Sequence, residues 1–148
     1  MKKNFEVTRI LPFKHTLVFE QIVDFERYEQ YLPFCNASRS LNTYNEDFSQ
    51  IGELELEVAG VSYKIKSGNV IEDERILITQ IKGPFEEMQA SWHVEQLDDG
   101  SSKISFEVNA KVSYFLGILL SDSTVEKFVN VFLDSFVNDL AARNKTEN

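Results

Sequence analysis

The feature that most restricts the fold is a run of about eighty residues after Cys35 in which apolar and polar side chains alternate with a period of two. Successive side chains of a strand point to opposite faces, so the pattern demands a sheet with one dry and one wet face. Leu54, Leu56 and Val58 point one way, and Glu53, Glu55 and Glu57 the other. After a turn at Gly60, Val61, Tyr63 and Ile65 alternate with Ser62, Lys64 and Lys66. Glu72-Asp73-Glu74 reads as a turn, and Arg75 to Lys82 as a more uniformly apolar strand that Gly83-Pro84 breaks. Met88, Ala90, Trp92 and Val94 face inward in the next strand, Asp98-Asp99-Gly100-Ser101 is a hairpin signal, and Ile104, Phe106, Val108, Ala110 and Val112 line the last strand.

Other patterns bracket this run. Phe5 to Pro12 alternates as a first strand. From Lys14 to Phe25, the residues Val18, Phe19, Ile22, Val23 and Phe25 fall at helical spacing, with a poor cap at the start. Tyr28, Tyr31 and Leu32 continue in a second short helix that Pro33 closes, because the residue before a proline is disfavoured in the α region. Near the C-terminus, Val125, Phe128, Val129, Phe132, Leu133, Phe136, Val137 and Leu140 mark an amphipathic helix of roughly 20 residues, about 30 Å long. A sheet of six to seven strands must cover its dry face, and only this helix is long enough to cross it. The expected fold class is therefore α+β. A curved antiparallel sheet wraps the C-terminal helix, and two short helices after the first strand hold an apolar cleft open. No repeat or linker divides the sequence, so residues 1–148 read as a single domain.

Charge excludes one class of partner. The net charge is −9 and the 15 Lys and Arg residues are scattered, so DNA is not an expected partner. Lys64-Ile65-Lys66, the densest basic group, reads as a solvated strand edge. With one cysteine, no signal-peptide pattern and no spanning apolar run, the expected location is the cytoplasm, with peripheral contact at the inner membrane as an option.

Catalytic groupings are weak. Cys35 and His93 are a thiol and a base without a basic neighbour to activate the thiol, and Cys35 reads better as a half-buried apolar residue. Closely spaced Cys and His ligands are lacking, and Gly60, Gly68, Gly83 and Gly100 are isolated turn glycines rather than a phosphate-binding loop. The function expected is binding. The 12 Phe and 5 Tyr are a heavy aromatic load, and Trp92, Phe106, Tyr63, Phe85 and Phe132 together favour a pocket. Tyr114-Phe115-Leu116-Gly117-Ile118-Leu119-Leu120 is continuously apolar where a polar loop belongs. It reads as a flap over the pocket, a lip that dips into a membrane, or the buried first turn of the last helix.

The segment from Ile22 to Cys35, with Val23, Asp24, Tyr28, Tyr31, Leu32, Pro33 and Cys35, resembles a hallmark of one branch of the START-like (polyketide cyclase-like) superfamily. That branch holds coenzyme Q-binding proteins and ribosome association toxins, and its pattern runs Val-x-Asp-x-x-x-Tyr-Pro-x-Phe-Leu-Pro-x-Cys. The likeness continues through Ser38-Arg39, Ala59-Gly60, Gly83-Pro84-Phe85 and Trp92, and covers nearly the whole chain. Glu29 stands where a proline is usual, Tyr31 where a phenylalanine is usual, and Lys14 where a serine-like cap is common.

The resemblance implies the helix-grip fold and two functions of different classes. One is a non-catalytic carrier or chaperone for ubiquinone or a related isoprenoid quinone, supporting respiratory electron transfer, with no covalent cofactor. The other is a toxin that binds the large ribosomal subunit and blocks subunit association. An aromatase/cyclase-type enzyme is a third option by fold analogy alone, and it would need polar residues inside the pocket, which the inward positions largely lack. Burying one isoprene unit is worth on the order of 3 kcal/mol, so a short prenyl tail suffices for useful affinity. Ribosomal RNA would have to overcome the net charge of −9. Inward parity then selects Phe19, Leu32, Pro33, Leu56, Val58, Tyr63, Phe85, Met88, Trp92, Phe106, Val108, Phe128 and Phe132 as ligand-binding residues, with an isoprenoid quinone or other lipid as the partner.

Overall fold

In the computed structural model, residues 1–41 and 45–147 are described; residues 42–44, inside the run of alternation, lie outside the described residues. Seven strands form one antiparallel sheet: β1 (Lys2–Leu11), β2 (Cys35–Ser40), β3 (Gln50–Val58), β4 (Val61–Ile71), β5 (Arg75–Lys82), β6 (Glu87–Gln96) and β7 (Ser102–Lys111). Their spatial order is β1-β7-β6-β5-β4-β3-β2, so β1 and β2 lie at opposite edges. Between them come α1 (His15–Val23), a 3-10 turn (Phe25–Arg27) and α2 (Tyr28–Tyr31), which carry the chain from one edge to the other. After β7 come α3 (Tyr114–Leu119) and the long α4 (Asp122–Glu147). This is the helix-grip arrangement, a curved sheet closed on a C-terminal helix.

Local chemistry explains the boundaries. Leu32 is extended at φ −89° and ψ 115°, which ends α2 one residue before Pro33. Lys14 gives α1 no side-chain cap, whereas the Ser113 side chain accepts from the Leu116 backbone N–H and caps α3. The β3–β4 hairpin turns through Ala59 and Gly60, both at positive φ (53° and 77°), the combination that matches the twist of the flanking strands.

The core fills the end of the sheet away from that hairpin. Phe136 and Leu140 of α4 are fully buried and pack with Val18, Trp92, Val94 and Ile104. Gln21, buried on α1, donates from Nε2 to the Phe136 carbonyl at 2.9 Å and ties the short helix to the long one. A second cluster, Phe25, Tyr28, Leu32 and Cys35, sits beneath the short helices.

The wet face is ionic. Arg39 on β2 reaches Glu53 at 2.7 Å and Glu55 at 3.2 Å, and Lys64 on β4 reaches the same carboxylates at 3.4 and 3.8 Å. The Arg39 hydrogen bond holds the Glu53 carboxyl below its usual range. Lys64, half of the densest basic group, is therefore partnered by acid.

Candidate functional site

Between the concave face of the sheet and α4 lies a cavity of about 670 Å³. Its walls follow the strand parity: Leu54, Leu56 and Val58 on β3, Tyr63 and Ile65 on β4, Ile76 and Ile78 on β5, Met88, Ala90 and Trp92 on β6, Phe106, Val108 and Ala110 on β7, and Phe5 and Val7 on β1. α4 contributes Val125, Phe128, Val129 and Phe132. The floor is aromatic. Trp92 lies 4.5 Å from Phe106, 5.7 Å from Phe132 and 6.0 Å from Phe136, centroid to centroid. Such a volume lies within the roughly 300–1,000 Å³ of small-molecule sites, and its lining is mostly apolar.

The segment Tyr31-Leu32-Pro33-Phe34-Cys35 closes one flank. Because Leu32 is extended, Leu32 and Phe34 share a face, and both line the cavity. The Phe34 ring packs on Phe128 at 4.2 Å, and its carbonyl accepts from Glu57 N–H at 2.8 Å, so one residue links the loop to α4 and to β3. Ser38 pins the adjoining strand to the short helices: its Oγ donates to the Glu26 carbonyl at 2.7 Å and accepts from Glu29 N–H at 3.1 Å.

The family described as polyketide cyclase / dehydrase and lipid transport matches residues 11–137. The chain belongs to this START-like family. The "Ribosome association toxin RatA" of Rickettsia prowazekii is 32% identical over 115 residues, covering 74% of this chain and 77% of that protein. The protein of the same name from Pseudomonas aeruginosa is 27% identical over 111 residues, covering 73% and 74%. Among solved structures, the Zhui aromatase/cyclase of a Streptomyces species superposes with a TM-score of 0.81 at 17% identity, covering 97% of this chain and 96% of that one. At that identity the likeness speaks to fold only.

Within the START-like framework, the cavity is lined by Leu32, Leu56, Val58, Tyr63, Phe85, Met88, Trp92, Phe106, Val108, Phe128 and Phe132 of the residues expected to bind a ligand. Two expected residues lie elsewhere. Phe19 packs against the main core instead of lining the cavity; of the predicted helical face, Ile22 and Phe25 are the residues that reach it. Pro33 is exposed, because in an extended segment it points opposite to Leu32 and Phe34. Phe34, Phe5 and Val7 line the cavity beyond the expected set, and their alternation in the sequence carries the signal. The interior is largely apolar, as expected, with Gln50, Ser67 and Asn69, in phase with Leu54 and Ile65, among its polar exceptions.

Cys35 is buried and faces the second core cluster, while His93 pairs with Arg75 on the wet face, its Nε2 3.7 Å from Glu74. Thiol and imidazole therefore lie on opposite faces of the sheet. Burial pushes the Cys35 thiol up to about 11, which leaves it protonated at neutral pH and a poor nucleophile. Among the described residues, no group of three or more His, Cys, Asp or Glu is placed to hold a metal ion.

The apolar run after β7 is neither a strand nor the first turn of the long helix. It forms α3, with Leu116 and Gly117 buried and Tyr114, Phe115 and Ile118 exposed by 74%, 72% and 58%. Leu120, Asp122 and Val125, which follow it, line the cavity, so the exposed apolar edge adjoins the mouth. Among the described residues, no helix is long and apolar enough to cross a membrane.

Proposed function

We propose that this chain is a non-catalytic carrier that encloses an uncharged hydrophobic ligand, with ubiquinone or a related isoprenoid quinone as its occupant. The supporting observation is the aromatic-floored cavity of about 670 Å³, closed by α4 and the Phe34 loop. Each buried methylene of a prenyl tail adds about 0.8 kcal/mol, so a few isoprene units in such a chamber hold a ligand without any charged anchor. The exposed edge of α3 beside the mouth suits transient loading from a bilayer, by a protein that otherwise resides in the cytoplasm. The test is native mass spectrometry with organic extraction of protein purified from a quinone-producing bacterium. A stoichiometric quinone or lipid that disappears in Val58→Trp supports the reading, and an empty protein that also refuses added short-chain quinone sinks it.

The names of the relatives favour a second reading, a ribosome association toxin, for which the resemblance in the sequence implies the large subunit as the target. The net charge of −9 and the pairing of Lys64 with Glu53 and Glu55 disfavour a phosphate-based grip, so contact would run through ribosomal protein. Co-sedimentation with large subunits across a salt series tests it: binding that persists as salt rises points to a protein partner, and no co-sedimentation at low salt removes the reading.

A further inference from the structure

The cavity has a polar corner. Gln50 and Asn69 face each other across β3 and β4, and Ser67 lies one inward position along β4, opposite Gly52. Asn69, only 7% exposed, donates from Nδ2 to Gln50 Oε1 at 2.8 Å, and Ser67 Oγ approaches Asn69 Oδ1 at 3.5 Å. Among the described residues, no side chain or backbone carbonyl accepts from Gln50 Nε2 or from the second Nδ2 hydrogen of Asn69. A chamber for hydrocarbon alone gains nothing from such donors, because amide groups facing apolar surroundings cost free energy unless an acceptor meets them.

Strand register places this corner deep. Asn69 pairs with Ile78, Ile78 with Ala90, and Ala90 with Val108, one row from the Ile76–Trp92–Phe106 row of the floor. From Gln50 the lining positions of β3 run Gly52, Leu54, Leu56 and Val58 toward the hairpin at the mouth. Of the charged lining residues, Lys3 and Asp122, 3.9 Å apart, belong with Glu126 to the other end, where the Asp122 side chain is fully exposed, and Arg9, itself exposed, stands on β1, the strand four places from β4 across the sheet. The donors of this corner are thus uncharged, and they suit carbonyl oxygens without bringing a charge of their own to recruit an anion.

We propose that Gln50, Asn69 and Ser67 form a head-group site for the uncharged, carbonyl-bearing end of an amphipathic ligand. The ligand enters head first, and its tail lies along Leu54, Leu56 and Val58. This rests on the carrier reading and names the polarity of its ligand and the direction in which it is seated.

The test compares two probes of equal tail length, 2-decyl-1,4-benzoquinone and decylbenzene, by equilibrium dialysis against the wild type, Gln50→Leu and Asn69→Leu. Gln50 is half-buried, so its variant keeps the test valid if Asn69→Leu does not fold. The expected result is tighter quinone binding by the wild type, with about a tenfold loss in either folded variant and decylbenzene affinity unchanged within about twofold. Equal affinities of the wild type for both probes, or equal losses for both probes in the variants, would overturn the head-group site and leave a carrier that reads only the tail. Binding of neither probe to the wild type would overturn the carrier reading itself.

Discussion

Phe34 and Phe128 meet at 4.2 Å across the flank of the cavity, and this contact fastens the loop before β2 to the long helix. An aromatic pair contributes about 1 kcal/mol beyond the area it buries. Phe34→Ala should therefore release a bound hydrophobic ligand roughly fivefold faster than the wild type while the circular dichroism spectrum is unchanged. Stopped-flow dilution of the loaded protein measures this, and an unaltered release rate would show that the loop is not the gate.

Gly52 lies against the ring of Phe25, where an added Cβ would come within 2.3 Å of the ring tip. Phe25 belongs to the cluster beneath the short helices, and the room it has to give way is the cavity it lines, at the loss of its packing there. Gly52→Ala should cost about 1–3 kcal/mol, the usual range for overpacking, as read from urea unfolding.

Ala59 occupies a left-handed conformation at the tip of the β3–β4 hairpin. A Cβ there costs roughly 1–2 kcal/mol, and asparagine tolerates the region better. Ala59→Asn should raise stability by about 0.5–1 kcal/mol, and a lowered urea midpoint would contradict the turn geometry.

Alkaline pH should weaken the fold in two stages. Burial raises the Cys35 thiol from its ordinary 9.0 to about 11, so between those values the folded chain keeps a proton that the unfolded chain has released. That contribution is complete below about pH 9 and declines as pH rises through about 11. Burial also drives the Tyr28 and Tyr31 phenols upward, Tyr31 with help from nearby Asp139, and extends the decline above pH 10. Urea midpoints for Cys35→Ala should be flatter than wild type between about pH 9 and 10 and should still fall beyond it.

The exposed edge of α3 offers a separable test of membrane loading. Phe115 and Ile118 are largely solvated, so Phe115→Ser with Ile118→Ser should leave thermal stability within a few degrees of wild type. Binding to zwitterionic phosphatidylcholine vesicles should drop at least tenfold, and anionic vesicles should bind the wild type no better, given the net charge of −9. Equal pelleting of variant and wild type would remove α3 as the contact.

Strand parity made most of the cavity legible, because on a one-sided sheet the period of two assigns Leu56, Tyr63, Trp92 and Phe106 to one face before any contact is known. Helical periodicity is less informative about a cavity. The apolar stripe of α1 serves both the main core and the chamber, and sequence alone does not divide Phe19 from Ile22. Pro33 turns away from the cavity because the chain leaves its helix one residue earlier and alternates from Leu32 onward, which helical spacing does not reveal. Gln50, Ser67 and Asn69 escape a search for apolar inward residues, although their phase matches Leu54 and Ile65.

The pairing of β1 with β7 joins Phe5 to Val108 and Val7 to Phe106. It also sets a schedule for synthesis. At about 5–20 residues per second, the first strand waits on the order of 5–20 s for its partner to be translated. During that interval Phe5 and Val7 emerge with their permanent neighbours unmade, and so do the unpaired amides of an edge strand. The earliest part of this chain to be made is thus among the last to find its place, and a chaperone that shields nascent chains has its clearest target in the first ten residues.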